Sequence, residues 1–156
     1  MPKSDIKRVP VEQAIELMKE LIGEHWKEVP FGDYQLELNL DIPTYCAVEA
    51  SGHGTCLVAY IEDTIVGYML LLASSMLHHE GLHQVITDSF YVVPEYRDAG
   101  VFLELLTAAE TLCKADNLDF LSLGLNPQYP ENATLEDYVK EQGYSLTELT
   151  YTKSMK

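Results

Sequence analysis

The sequence predicts a single α/β domain over residues 1–156, in which about four helices flank a mixed, mostly antiparallel sheet. Two observations lead to this fold class. The spacing of the apolar residues changes from three or four positions to two near Thr55, so helices come first and strands follow. No internal repeat, linker or low-complexity segment divides the chain, and its 156 residues, 47% of them hydrophobic, suffice to bury one core.

Two helices are predicted before the first strand. Apolar residues recur at helical spacing from Val11 to Trp26, which indicates an amphipathic helix. The stretch from Phe31 to Leu40 is expected to be a loop or a short turn of helix. Asp41 is a candidate N-cap, Pro43 suits a first turn, and the helix that they begin is expected to stop at Gly52.

Three strands are predicted in the middle of the chain. Two of them, Cys56 to Glu62 and Thr64 to Leu77, are joined by a tight turn at Asp63. A polar connection, His78 to His83, leads into the third strand, Gln84 to Val93.

Helices and strands alternate in the last third of the chain. A helical stripe from Phe102 to about Asp116 is followed by a short apolar strand, Phe120 to Leu125. A short helix, Leu135 to Gln142, ends at Gly143. The tail, Tyr144 to Met155, alternates enough to be a last strand.

Composition excludes several classes of protein. With 10 basic and 25 acidic residues the formal net charge is −15, which repels nucleic acid and either steers a cationic substrate or simply keeps the surface soluble. No apolar run is long enough to span a membrane, and the first residues lack the apolar core of a signal peptide. Three cysteines without paired spacing predict neither a zinc site nor disulfides, and they suit a reducing cytoplasm.

The segment from Val92 to Phe102 runs from the end of a strand into the start of a helix. The unpaired N–H groups and the positive dipole end of such a helix can bind an anion. Gly100 would let a phosphate approach the backbone closely. A single glycine before a helix is, however, typical of many ordinary turns.

The residues of this segment resemble the acetyl-CoA motif of the GNAT superfamily of N-acetyltransferases, V-x-P-x-x-R/Q-x-x-G-x-G/A. Val92, Pro94, Arg97 and Gly100 occupy its positions in register. Elsewhere, the segment 63–68 matches the family turn D-x-x-V-G-Y, and residues 143–144 match its closing G-F/Y, so the resemblance covers about residues 55–153.

A closer resemblance is to acetyltransferase-like proteins of tailed bacteriophages. These share a histidine-containing stretch, an Asp-x-φ-Tyr-Val-x-Pro-x-x-Arg run (where φ is apolar) and a Tyr-x-Lys tail. In this chain they appear as His78 to His83, Asp88 to Arg97 and Tyr151 to Lys153. The implied location is the host cytoplasm.

The resemblance implies a sheet that splays between strands 4 and 5, with acetyl-CoA entering the splay as co-substrate and no metal. The reaction would move an acetyl group directly to a primary amine of a small molecule or protein. The implied cofactor-binding residues are Tyr91, Val92, Val93, Arg97, Asp98, Ala99, Gly100, Val101, Phe102 and Asn126.

Two residues depart from the family pattern. Phe102 stands where glycine or alanine is usual, and Asp98 adds a negative charge beside a phosphate site. The Phe102 ring either blocks the pyrophosphate or turns into the core with Leu105 and Ala109, which share its helix face. These departures leave an alternative open, in which the chain is a catalytically degenerate binding protein that acts through protein–protein contact.

Amine acetylation needs a base for the amine and an acid for the departing thiolate. Asp88 is the first candidate for the base, on the face that strict alternation shares with Phe90 and Val92, although it could equally orient a neighbouring backbone group. A backbone N–H at a strand bulge near Val92 is expected to bind the oxyanion. The acid candidates are Tyr138, five residues before Gly143 where the family tyrosine stands four before, and Tyr129.

The acceptor pocket is expected to include Phe31 and Tyr34, which follow the first helix. His78, His79 and His83 either bind the acceptor or relay a proton, or they are solvated residues of an ordinary loop. The spacing H-H-x-x-x-H is by itself a weak signal for a ligand set, so a metal site is not predicted. A homodimer is left open, since the last strand could pair across two copies.

Overall fold

The computed structural model describes residues 3–129 and 131–156, and within these ranges five strands form one sheet in the order β1-β2-β3-β4-β5. The first four strands are antiparallel neighbours, and β5 is parallel to β4. The strands are β1 (Asp5–Val9), β2 (Gly54–Ile61), β3 (Thr64–Ser75), β4 (His83–Val92) and β5 (Phe120–Ser122).

Helices cover both faces of the sheet. The helices are α1 (Val11–Leu17), α2 (Lys19–Glu28), α3 (Ile42–Ala50), a 3₁₀ helix (Pro94–Ala99), α4 (Val101–Ala115) and α5 (Asn132–Glu141). One core packs α4 against the sheet, with Met69, Leu71 and Leu105 almost fully buried. The other core lies under α1, with Val11 and Val58 at its centre. The predicted α/β class and mixed sheet are therefore confirmed.

The sheet splays between β4 and β5. The parallel ladder joins only Gln84–Ile86 to Phe120–Ser122, and the amide of Gly124 adds one bond to the Thr87 hydroxyl at 3.0 Å. Beyond Thr87, the edge of β4 that faces β5 continues without a ladder partner in the described residues. This opening is the splay that the sequence predicts.

A β-bulge changes which residues of β4 share a face. Leu70 pairs with Ser89 and Leu71 pairs with Thr87, so Asp88 is the extra residue. Alternation is interrupted at Asp88, and Asp88 therefore does not share a face with Phe90 and Val92. The prediction from strict alternation is wrong at this point, because one inserted residue reverses the orientation of every side chain after it.

The ends of the chain differ from the sequence prediction. The strand β1 was not predicted, because it is short, polar and at the edge of the sheet. The predicted helix from Val11 to Trp26 is divided at Met18, whose φ is −106°. The predicted last strand, Tyr144 to Met155, is irregular chain in the structure. Alternation suits a strand, but β5 is only three residues long and offers little edge to pair with.

Candidate active site

Most of the predicted cofactor-binding residues form one continuous turn. Asn126 is separate, in the loop after β5, and its side chain already donates to the Pro30 carbonyl at 2.6 Å and accepts from the Gln128 amide at 2.9 Å. The other nine lie between the end of β4 and the first turn of α4: Tyr91, Val92, Val93, Arg97, Asp98, Ala99, Gly100, Val101 and Phe102.

The amino end of α4 has no side-chain cap in the part of the chain that the structure describes. Gly100 is its N-cap residue and has a φ of +81°, a conformation in which most side chains are strained. No side chain caps this helix within the described ranges, and a Cβ built on Gly100 would meet nothing within 4 Å. Because the first N–H groups of a helix have no intrahelical partner and lie at the positive end of its dipole, this turn can hold an anion.

The ring of Phe102 is directed into the protein. Its centroid lies 5.2 Å from that of Phe90 and 6.4 Å from that of Tyr138, and it packs against the core beneath α4. This is the second of the two arrangements considered from the sequence. Asp98 is exposed and remains a negative charge beside the turn.

Tyr138 has a buried hydroxyl without a hydrogen-bond partner among the residues that the structure describes. Burial and the nearby Glu110 carboxylate raise its pKa. Buried polar groups are nearly always paired, so this hydroxyl has an unused hydrogen bond to offer a bound molecule. The neighbouring Val139 occupies the family's tyrosine position and is part of the core.

Arg97 is held by the protein itself. Its Nε donates to the Val92 carbonyl at 2.9 Å, and its two terminal nitrogens donate to Glu28 at 2.6 Å and to Glu131 at 3.0 Å. The guanidinium also lies 5.3 Å from the centroid of the Tyr91 ring. The side chain is thus a crosslink between elements, and an anion in front of α4 would be bound mainly by backbone N–H groups.

Glu28, at the end of α2, was not identified from the sequence. Its carboxylate accepts hydrogen bonds from the hydroxyls of Tyr91 at 2.6 Å and Tyr129 at 3.1 Å as well as from Arg97. Burial raises its pKa, but these three bonds outweigh burial and the pKa lies below its ordinary value. Burial and the hydrogen bond to Glu28 raise the pKa of Tyr91 to about 12. A glutamate in the last turn of an amphipathic helix gives no sign of such a role.

His25, one turn before Glu28, is neutral at pH 7. Its ring stacks on Tyr91 with a centroid distance of 4.8 Å, and its Nδ1 lies 2.6 Å from the Tyr68 hydroxyl. Burial lowers the pKa of His25 to about 4.

Asp88 lies on the α3 side of the sheet because of the bulge. It is exposed, and its Oδ2 accepts a hydrogen bond from the Tyr45 hydroxyl at 2.8 Å. Burial and the Asp88 carboxylate raise the pKa of Tyr45. A cavity of about 40 Å³ under α1 is lined mainly by apolar side chains, with the hydroxyl-bearing Tyr45, Tyr68 and Ser89 among them. The bulge thus lies at Asp88, four residues before the expected position at Val92.

The predicted acceptor residues do not form one group. Phe31 and Tyr34 form an isolated bridge after α2, and the Tyr34 hydroxyl accepts from the Ser154 amide at 2.7 Å. His78 and His79 lie in the exposed turn after β3. His83 begins β4, nine residues and roughly 30 Å along the strand from Val92, so the histidines are distant from the turn before α4.

Neither a metal-binding cluster nor a membrane-spanning helix is present in the part of the chain that the structure describes. No group of three or more His, Cys, Asp or Glu side chains there is arranged to hold a metal ion. No helix there has the length and apolar character needed to cross a bilayer.

Comparison with known families gives a match over most of the chain. The model of the acetyltransferase (GNAT) family matches residues 15–144. The chain belongs to the GNAT family. Membership implies an acetyl-CoA-dependent acyltransferase and confirms the family resemblance seen in the sequence. No curated protein sequence matches the chain.

Solved GNAT structures share the fold along nearly the whole length. An aminoglycoside acetyltransferase, meta-AAC0020, from an uncultured soil metagenomic sample superposes with a TM-score of 0.73 at 12% identity, covering 98% of this chain and 97% of that one. A ribosomal-protein-alanine N-acetyltransferase from Brucella melitensis biovar Abortus 2308 superposes with a TM-score of 0.71 at 17% identity, covering 97% of this chain and 98% of that one. The aminoglycoside N-acetyltransferase AAC(6')-Iy in complex with CoA superposes with a TM-score of 0.69 at 14% identity, covering 97% of this chain and 99% of that one. At these identities the likeness shows the fold alone.

The residues of this GNAT chain fit a coenzyme A molecule. The uncapped amino end of α4 suits its phosphates, and Gly100 leaves the space before that end open. The unpaired Tyr138 hydroxyl beside Phe102 suits a polar group of its amide-rich arm.

Proposed function

We propose that this GNAT protein transfers an acetyl group from acetyl-CoA directly to a primary amine of a small molecule or protein. The observation that carries the proposal is the uncapped amino end of α4, which follows Gly100 in the register of the family motif while the Phe102 ring packs into the core. When bound, acetyl-CoA supplies the thioester carbonyl that the amine attacks. Direct attack is favoured because the thiols of Cys56 and Cys113 are buried, and burial raises the pKa of both.

Asp88 and Tyr45 are the proposed proton acceptors. An alkyl amine has a pKa near 10.4 in water, so it must lose a proton before or during attack. The amine proton passes to Asp88, either directly or through the Tyr45 hydroxyl that donates to it. Asp88 lies at the bulge of β4, next to the splay in which the thioester would lie.

Tyr138 is the better candidate for the acid that protonates the departing sulfur. Its hydroxyl proton is not committed to any partner in the described residues, and its raised pKa keeps it protonated. The Tyr129 hydroxyl, by contrast, already donates to Glu28. Tyr129 is therefore better suited to holding the site together than to giving up a proton.

The acceptor is proposed to be a slender cationic amine. The cavity of about 40 Å³ beside Tyr45 is small and lined mainly by apolar side chains, so it suits the alkyl part of a slender amine. The net charge of −15 raises the local concentration of cations. The structural neighbours are named for aminoglycosides and for a ribosomal-protein alanine, and both acceptor types present primary amines.

Binding of acetyl-CoA is the first test. A rise in Tm with acetyl-CoA, followed by thiol release with members of a panel of primary amines, would support the proposal. No rise in Tm at millimolar acetyl-CoA would refute it.

Substitution of the base is the second test. Asp88→Asn should lower kcat about 10²- to 10⁴-fold and leave the shift in Tm with acetyl-CoA unchanged. The matched control is Asp5→Asn, which removes an exposed carboxylate from β1 at the far edge of the sheet. It should change neither kcat nor the shift in Tm with acetyl-CoA. Equal loss of acetyl-CoA binding in Asp88→Asn would indicate a structural role instead.

A second function is favoured by the contacts of Arg97. With its guanidinium neutralised by Glu28 and Glu131, and with Asp98 exposed nearby, the turn carries less positive charge than an unpaired arginine would give it. A GNAT fold that has lost catalysis and acts by binding another protein would show such an arrangement. In that case acetyl-CoA would leave Tm unchanged, and no amine would release the thiol.

A further inference from the structure

Glu28 joins three elements that surround the proposed cofactor site. Its Oε1 accepts from the Tyr91 hydroxyl at 2.6 Å, and its Oε2 accepts from Arg97 at 2.6 Å and from the Tyr129 hydroxyl at 3.1 Å. Tyr91 lies at the end of β4, Arg97 in the 3₁₀ helix before α4, and Tyr129 in the loop after β5. One carboxylate at the end of α2 therefore contacts both sides of the splay.

The three partners are served best by a carboxylate. All of them are donors, two hydroxyls and one guanidinium N–H, and a carboxylate is the side-chain group that only accepts. An amide of the same shape could donate its NH₂ to one of the hydroxyls, but it would leave the guanidinium without this charged partner. The side chains of Arg97 and Glu28 are 19% and 29% exposed, whereas the side chain of Glu131 is 56% exposed. The pair of Arg97 with Glu28 is therefore better shielded from water than the pair of Arg97 with Glu131.

We propose that Glu28 is a positioning residue for acetyl transfer. It holds the turn of Arg97 and the loop of Tyr129 at a fixed separation, so that the amino end of α4 and the open edge of β4 face the same bound molecule. The inference rests on the proposed acetyl-CoA site. Glu28 takes no proton in the reaction, because its three donors favour its charged form.

Glu28→Gln tests this role with two measurements. Titration calorimetry should show the Kd for acetyl-CoA rising about tenfold, the scale expected for a lost charge-assisted bond. Amide hydrogen exchange should become faster in residues 95–99 and 124–129 and remain unchanged in β2. The conservative variant Glu28→Asp keeps the charge on a shorter side chain and should recover part of the affinity.

Glu24→Gln is the matched control. Glu24 lies one turn earlier on α2, is exposed, and pairs with Lys27 at 2.6 Å. Its substitution should alter neither the Kd nor the exchange. In an Arg97→Gln background, Glu28→Gln should have little further effect on the Kd, and fully additive losses would mean that Glu28 does not act through Arg97.

The outcomes separate this inference from the proposed function. If Glu28→Gln lowers Tm but leaves the Kd or the exchange of the two segments unchanged, Glu28 only stabilises the fold and the proposal is overturned. If the native protein binds no acetyl-CoA, the proposed function fails. Hydrogen exchange then still decides whether Glu28 holds the two segments together.

Discussion

Acidification should destabilise this protein through His25, and the variant His25→Asn should isolate the effect. In the folded protein burial lowers the pKa of His25 to about 4, whereas an unfolded histidine titrates at 6.5. Between these values the unfolded chain binds more protons than the folded one, so the free energy of unfolding falls as the pH falls. Asparagine does not titrate, and its side-chain amide can keep the bond to Tyr68.

The magnitude follows from the two pKa values. A difference of about 2.5 corresponds to about 3 kcal/mol once the pH is below both values. Relative to pH 7.5, the loss due to His25 should be about 1 kcal/mol at pH 5.5 and about 2–3 kcal/mol at pH 4.5. Above about pH 7.5, a full unit over the unfolded pKa, the contribution of His25 should no longer change with pH.

Urea unfolding of both proteins from pH 7.5 to pH 4.5 measures this difference. Carboxylates titrate in both proteins, so the informative quantity is the native protein's free energy of unfolding minus that of His25→Asn. The variant loses the stack on Tyr91 and should be less stable at pH 7.5, but the gap should narrow as the pH falls. A gap that is constant with pH would refute the assignment of His25 as a buried neutral group.

Three further substitutions test the packing and the turn. Phe102→Ala should lower the free energy of unfolding by about 2–3 kcal/mol in urea, because the ring contacts Phe90 and the core. The Kd for acetyl-CoA should stay within about twofold. Tighter binding of acetyl-CoA without loss of stability would show that the ring blocks the site. Gly100→Val should abolish the rise in Tm with acetyl-CoA, because a β-branched residue is strained at a φ of +81°. Gly81→Val, at a φ of +83° in the turn after β3, is the matched control and should lose stability but keep that rise. Gly67→Ala should destabilise the fold by about 2–3 kcal/mol, because its Cβ would lie 2.7 Å from the Tyr91 carbonyl oxygen; unchanged urea unfolding would contradict this close approach.

Local patterns in the sequence predicted the parts of the fold that depend on local physics. The turn before α4 was predicted because Pro94 and Gly100 mark the end of a strand and the start of a helix within one short stretch of chain. The splay also followed from the family resemblance.

Features that depend on distant contacts or on one residue were missed or misplaced. A bulge was expected near Val92, but nothing in the composition places it at Asp88, where it reverses the faces of the rest of β4. Glu28 acquires its role from Tyr91, Arg97 and Tyr129, which lie at least 63 positions away in the chain. A hydrogen-bonded cluster between distant segments has no periodicity that a sequence pattern could show.

The irregular C-terminal tail has a consequence for behaviour in concentrated solution. Leu146, Leu149, Tyr151 and Met155 are 68–92% exposed, and most of the residues between them are hydroxylated, a composition that favours edge-to-edge association. The charge of −15 on every copy opposes such association at low ionic strength, where repulsion reaches about 30 Å at 0.01 M salt. Added salt shortens that range to about 8 Å at 0.15 M. The protein should therefore self-associate more in physiological saline than in dilute buffer, the opposite of the salt response of assemblies held by ion pairs.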